Sequence, residues 1–175
     1  MRFRSGLALF LAGAWLCAAC EPLVGDSPTP VRLPGAPIRP LPECEWAEVL
    51  SVTDGDTIRL RLDGEEERLR YIGIDAPELR PESGTAEPLA EEAAAANAQL
   101  VEGEEVCLER DVSDRDRFGR LLRYAWLANG TMVNEALVLA GLAEAVEFRP
   151  DTAHHDDILQ RAEDEAMAAG RGIWR

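Results

Sequence analysis

The chain has 175 residues, with 33 acidic against 18 basic side chains and a net charge of −15. That length accommodates one domain of ordinary size with a terminal extension and leaves no room for a second full domain. So acidic a composition excludes broad electrostatic capture of a polyanion, while leaving open a local basic site.

In chain order, Arg2 and Arg4 precede an apolar run from Leu7 to Cys17 that ends in Ala18 and Ala19 before Cys20. Positive residues on one side only, and a run short for a bilayer, identify residues 1–19 as an expected export signal. Cys20 after two alanines resembles a bacterial lipobox, although Cys17 stands where leucine is usual, so lipidation at Cys20 and simple secretion are both open. Lipid at Cys20 would anchor the chain to a membrane without spanning it. Seven of the eleven prolines fall between residues 21 and 43, so residues 20–43 are expected to form a semi-extended linker. Cys44 and Cys107 remain for an oxidising compartment, either as a disulfide or as two buried thiols.

The folded part is expected over residues 44–175. Ala47–Val52 and Thr57–Leu62 read as strands, the second by alternation of Ile58, Leu60 and Leu62 with Arg59 and Arg61. Asp63-Gly64 signals a hairpin, and Arg68–Ile74 follows as a third strand. Pro88 suits the first turn of an alanine-rich helix carrying Leu89, Ala93, Ala96 and Leu100 at helical spacing. Glu104–Glu109 and Arg120–Leu127 supply two more strands around a charged loop. Val133, Ala136, Leu137 and Ala140 share one face of a second helix, and a third begins near Thr152 with Ile158, Leu159, Ala162 and Ala166 inward and Gly170 as its stop. Five strands and three helices make an α+β chain compatible with an oligonucleotide- or oligosaccharide-binding (OB) barrel.

The chemistry concentrates in Asp54-Gly55-Asp56-Thr57 and, one hairpin later, Arg70 through Glu78. Acids at the ends of two adjacent strands offer the hard oxygen ligands that calcium takes, with Asp56 and Asp75 as a half-site. A polar turn explains Asp54 and Asp56 equally well taken alone. Glu78 stands where a carboxylate can activate water, or is a solvated loop acid. Arg70 shares strand parity with Ile72 and Ile74 and needs an anionic partner, either a phosphate or a structural acid. The loop Asp114–Arg120 delivers Arg120 to a strand start, as a second phosphate ligand or as part of a salt-bridged turn. Adjacent His154 and His155 point apart on a helix and are expected at a polar helix start rather than a metal site. Trp46, Trp126 and Trp174 are expected to pack.

These segments, with Asp116–Arg120, Met132–Val138, Ala140–Ala143 and Gly172-Ile173-Trp174, follow in the order seen in the staphylococcal nuclease family, which the chain resembles over nearly all of its folded part. The resemblance implies an OB barrel in which Asp56, Asp75 and the backbone carbonyl of Ala76 ligate Ca2+. It further implies that Glu78 positions or deprotonates water, that Arg70 and Arg120 hold phosphate, and that Asp54 and Thr57 support the ligands from behind. Family members cleave DNA and RNA with little sequence specificity, leaving 3′-phosphates. The sequence departs from the family at Phe118, where a tyrosine is expected, and near Phe148, where one aromatic stands for two; Phe148 is either a base-stacking surface or a core aromatic. The implied reading is an exported, monomeric, calcium-dependent nuclease acting on DNA or RNA. Its rival is a non-catalytic OB module on an envelope lipoprotein; a lipoprotein of purely structural role rests on the N-terminus alone.

Overall fold

The computed structural model describes residues 31–81 and 84–175. The expected export signal, Cys20 and the first prolines of the linker lie outside the described residues. Residues 31–43 run without helix, and Val31, Leu33 and Ala36 pack against the core. Arg39 donates its backbone N–H to the Gly130 carbonyl at 2.9 Å and pairs its guanidinium with the buried carboxylate of Glu135.

Five strands close a barrel: β1 (Glu45–Val52), β2 (Thr57–Leu62), β3 (Glu65–Tyr71), β5 (Glu105–Glu109) and β6 (Leu121–Leu127), in the order β1-β2-β3-β6-β5, with β5 returning to β1. All neighbours are antiparallel except β3 and β6, which run parallel. Short β4 (Ile74–Asp75) and β7 (Glu144–Ala145) pair beside the barrel. Helices α1 (Ala90–Val101), α2 (Val133–Leu139) and α3 (Asp156–Ala168) cover it, and a 3-10 turn at Gly172–Trp174 follows. This is the OB topology expected from the strand count. Alternation drives it: Ile58, Leu60, Leu69 and Tyr71 point inward with no exposed surface, while Arg59, Arg61 and Arg68 face out.

Four local expectations need correction. The third strand does not run to Ile74: it stops at Tyr71, and Gly73, at a φ of 77°, turns the chain before β4. A Cβ at Gly73 would also meet the Leu159 side chain at 2.5 Å. Strand parity across that turn is therefore lost, and Arg70 does not share a face with Ile72 and Ile74. Pro88 lies before α1, whose entry is set by Leu89 at a φ of 67°. Helix α3 starts at Asp156, after a turn that uses Thr152, rather than near Thr152. Trp46 is 46% exposed, because odd-parity Ala47 and Val49 take the inward positions of β1; Trp126 is buried as expected.

Cys44, just before β1, is disulfide-bonded to Cys107 of β5, with 5.5 Å between the Cα atoms. The bond staples the entry of the chain to the strand that closes the barrel.

Candidate active site

The site forms where the turn after β1 meets the end of β3 and β4. Asp54 accepts the backbone N–H of Asp56 at 3.1 Å, tightening the turn. Gly55 lets this turn lie against α1 and Ala76: a Cβ there would meet the Cβ atoms of Ala76 at 2.5 Å and Ala93 at 2.9 Å. Asp56 is thereby driven inward, to 4% exposure. Its Oδ2 accepts the N–H of Ala76 at 2.8 Å, and its Oδ1 accepts the Thr57 hydroxyl at 3.1 Å.

Arg70 gathers the acids. One of its guanidinium nitrogens lies 3.0 Å from Asp56 Oδ2 and 2.7 Å from Asp75 Oδ1. The other donates to the carbonyls of Tyr71 and Ile74 at 2.6 and 2.7 Å, wrapping the turn that Gly73 creates. The two carboxylates thus share one cationic point. Burial still pushes the Asp56 carboxyl up to about 7, with Asp54 adding to the rise, against the charge of Arg70 and the N–H of Ala76. A buried carboxylate left this unfavourably charged, beside an exposed one, is a fitting donor pair for a hard divalent cation. Among the described residues no three His, Cys, Asp or Glu side chains stand as a ready metal cluster. Asp56, Asp75 and the backbone carbonyl of Ala76 are the oxygen donors that could hold such a cation here.

Glu78, itself exposed, follows buried Ala76 and half-buried Pro77. Its N–H donates to Glu87 Oε2 at 2.9 Å, and Glu87 returns its own N–H to the Glu78 carbonyl at 3.0 Å. Partial burial, then the charges of Asp54 and Asp75, raise its carboxyl above the ordinary value, with Arg70 opposing. Proton affinity higher than that of a free glutamate suits an acceptor of a water proton.

Arg120 arrives from the other wall. Asp116 fixes it twice, accepting its backbone N–H at 2.9 Å and its Nε at 2.7 Å. A second guanidinium nitrogen, Nη1, reaches the Thr57 hydroxyl at 3.4 Å, so Thr57 joins Asp56 to Arg120. Arg70 and Arg120 both line a cleft of about 500 Å³, together with Arg115, Arg117, Phe118 and Phe148. Four arginines therefore meet in one cleft of an acidic chain. Arg115 is held by Glu67 at 2.7 and 2.8 Å, whereas Arg117 lies over the Phe118 ring at 4.6 Å from its centroid. Phe148 is 66% exposed and Phe118 59%, so neither is a core aromatic.

The chain matches the family model described as "Staphylococcal nuclease homologue" over residues 68–175. It is 37% identical over 127 residues to the thermonuclease of Staphylococcus hyicus, a match covering 73% of this chain and 74% of that protein. The chain belongs to the staphylococcal nuclease family. The thermonuclease of Staphylococcus intermedius is 35% identical over 126 residues, 72% of this chain and 74% of its own. The SPbeta prophage-derived endonuclease YokF of Bacillus subtilis is 37% identical over 123 residues, 69% of this chain but only 41% of that longer protein. Family membership carries nuclease activity at the level of the family.

The staphylococcal nuclease fold of this chain thus brings Asp54, Asp56, Thr57, Arg70, Asp75, Ala76, Glu78 and Arg120 to one end of the barrel, with Phe148 across the cleft. Cys44 and Cys107 lie on the β1–β5 seam and take no part. Two contributors escaped the sequence reading. Asn97, fully buried on α1, donates to the Asp54 carbonyl at 3.0 Å and accepts the Tyr71 hydroxyl at 3.0 Å; its interruption of the alanine run over residues 93–98 is its only signal. Glu87 is one more acid in a chain full of them, and only the fold singles it out; Asp116 stood in the charged loop, and its pair with Arg120 is the salt-bridged turn that the sequence offered there.

Proposed function

We propose that this chain is an exported, calcium-dependent endonuclease that hydrolyses DNA or RNA with little sequence specificity. The observation that carries the reading is the convergence of two carboxylates on Arg70, one of four arginines that line a single cleft. In this reading Asp56, Asp75 and the Ala76 carbonyl hold the ion. Bound calcium supplies a Lewis acid beside the scissile phosphate.

The side chains do the rest. Arg70 and Arg120 grip the phosphate oxygens from opposite walls and stay paired with them as negative charge builds in the pentavalent transition state. Glu78 takes the proton of a water whose oxygen bonds to phosphorus. The bond from phosphorus to the 5′-oxygen breaks, the 5′-oxygen takes a proton from solvent, and the 3′-phosphate stays behind. Asp54 and Thr57 keep Asp56 and Arg120 in place. Phe148 offers a stacking face to a base.

Export completes the proposal: residues 1–19 as signal, residues 20–43 as spacer from a lipidated or free Cys20, and residues 44–175 as the monomeric nuclease. Intact mass of the purified envelope form reports the state of Cys20.

The direct test incubates purified protein with single-stranded DNA and RNA, in calcium or in excess chelator, beside Glu78→Gln and Arg70→Ala. Calcium-dependent cleavage that drops at least about a hundredfold in both variants is expected. A folded, calcium-loaded protein that binds oligonucleotide without cutting it would make the chain a binding module instead.

A further inference from the structure

Two loops line the cleft beside the segment Arg70–Ile74 that joins β3 to β4. Residues 110–120, between β5 and β6, carry Arg115, Arg117, Phe118 and Arg120; residues 146–155, between β7 and α3, carry Phe148 and Asp151. Neither loop belongs to a sheet over most of its length, so something else must set their separation.

Each loop donates a backbone N–H to an aspartate of the other. Asp151 Oδ1 accepts the N–H of Ser113 at 2.5 Å, and Asp111 Oδ2 accepts the N–H of His154 at 3.1 Å. Both ends are anchored behind the cleft. Asp111 has a side chain only 1% exposed and also meets the Tyr124 hydroxyl at 3.4 Å. Asp151 sits in a turn closed by its own N–H to the Phe148 carbonyl at 2.6 Å, with Phe148 N–H bound to the buried Thr152 hydroxyl at 3.1 Å. The remaining oxygen of Asp111 has no hydrogen-bond partner and faces the His154 ring at 3.8 Å. A buried carboxylate is kept there despite an unsatisfied oxygen, which costs stability.

We propose that Asp111 and Asp151 form a reciprocal clasp that fixes the spacing between the arginine wall and Phe148, making them positioning residues for substrate. The proposal rests on the nuclease reading for its effect on turnover. Asp151 also lines the cleft, where its negative charge opposes a nucleic acid. Acceptor and charge therefore pull in opposite directions, and substitution separates them.

The experiment compares Asp151→Ala, Asp151→Ser and Asp151→Asn in the full chain by two measurements: kcat and KM on single-stranded DNA, and amide hydrogen exchange across residues 110–120. Alanine and serine lose the reach to Ser113, and KM is expected to rise about tenfold, the worth of one hydrogen bond to a charged group, with a smaller change in kcat. Exchange is expected to quicken in residues 110–120, the loop that was not mutated. Asparagine keeps an acceptor oxygen, so KM is expected to stay level or fall and exchange to remain slow. A KM that falls in all three variants assigns Asp151 to charge repulsion alone and overturns the clasp. Unchanged exchange in residues 110–120 of the alanine variant overturns it as well. If the wild-type protein does not cut nucleic acid, the nuclease reading fails by itself, and the exchange comparison still decides whether the two loops are coupled.

Discussion

At the scale of single residues, the site holds charges that the fold would rather not hold. Asp56 is raised by burial to about 7 from an ordinary 3.8, so without metal the folded chain binds its proton more tightly than the unfolded chain does. The contribution to stability is then full below the unfolded value near 4 and is lost as pH rises through about 7. Asp56→Asn removes the charge and keeps an oxygen for Thr57 or Ala76. In chelator at pH 8 the variant is expected to be more stable than wild type by about 2 kcal/mol, the size of a buried charge left partly compensated. At pH 4 the gain should vanish, and cleavage should be lost at every pH. Denaturant melts at the two pH values check the sign; an equal gain at both would detach the effect from the carboxylate. The acids and arginines of this site were legible because Asp-Gly-Asp and Arg-through-Glu stand at strand ends. Their pairing was not, since Arg70 takes its orientation from a Gly73 turn that strand alternation alone does not announce.

At the scale of elements, α1 is tied to the site by a single amide. Asn97 joins the Asp54 carbonyl to the Tyr71 hydroxyl at zero exposure, so the turn that presents Asp56 is held from behind by a helix. Asn97→Ala leaves a buried hydroxyl and a carbonyl unsatisfied, at an expected cost of about 1–3 kcal/mol. Activity should fall with it, because Gly55 packs directly on Ala93 of the same helix; a variant destabilised by that amount with full activity would show the turn to be rigid on its own. Leu89, Ala93, Ala96 and Leu100 gave the helix away by spacing. The buried side is instead Ala90, Ala93, Ala96, Asn97 and Val101, with both leucines half-buried. A face made of alanines permits the close approach that Gly55 exploits, and hydrophobic spacing alone does not distinguish it from one made of leucines. The barrel itself was the most legible part, because Ile58, Leu60, Leu69 and Tyr71 alternate with charged residues that cannot be buried unpaired.

At the scale of the whole molecule, an anionic chain of net charge −15 must admit an anionic polymer. Four cleft arginines act at contact distance, whereas the surplus acids act through the long-range field. Salt separates the two, since the screening length is about 30 Å at 0.01 M and about 10 Å at 0.1 M. Raising monovalent salt over that interval should weaken the repulsion between substrate and molecule more than it weakens guanidinium–phosphate contacts. The rate of oligonucleotide capture is therefore expected to rise first, peak near 0.1 M, and fall only at higher salt, where the contacts themselves compete with ions. Arg117 has no ion-pair partner among the described residues and stacks on exposed Phe118, so Arg117→Ala should flatten the falling limb by about 0.7 in log–log slope, one single-strand phosphate's worth, and leave the rising limb in place. Stopped-flow capture of a labelled oligonucleotide by Glu78→Gln, expected to cut at least about a hundredfold more slowly than wild type, measures both limbs. A rate that falls monotonically from the lowest salt would mean that the arginine cleft, rather than the net charge, governs approach from the start.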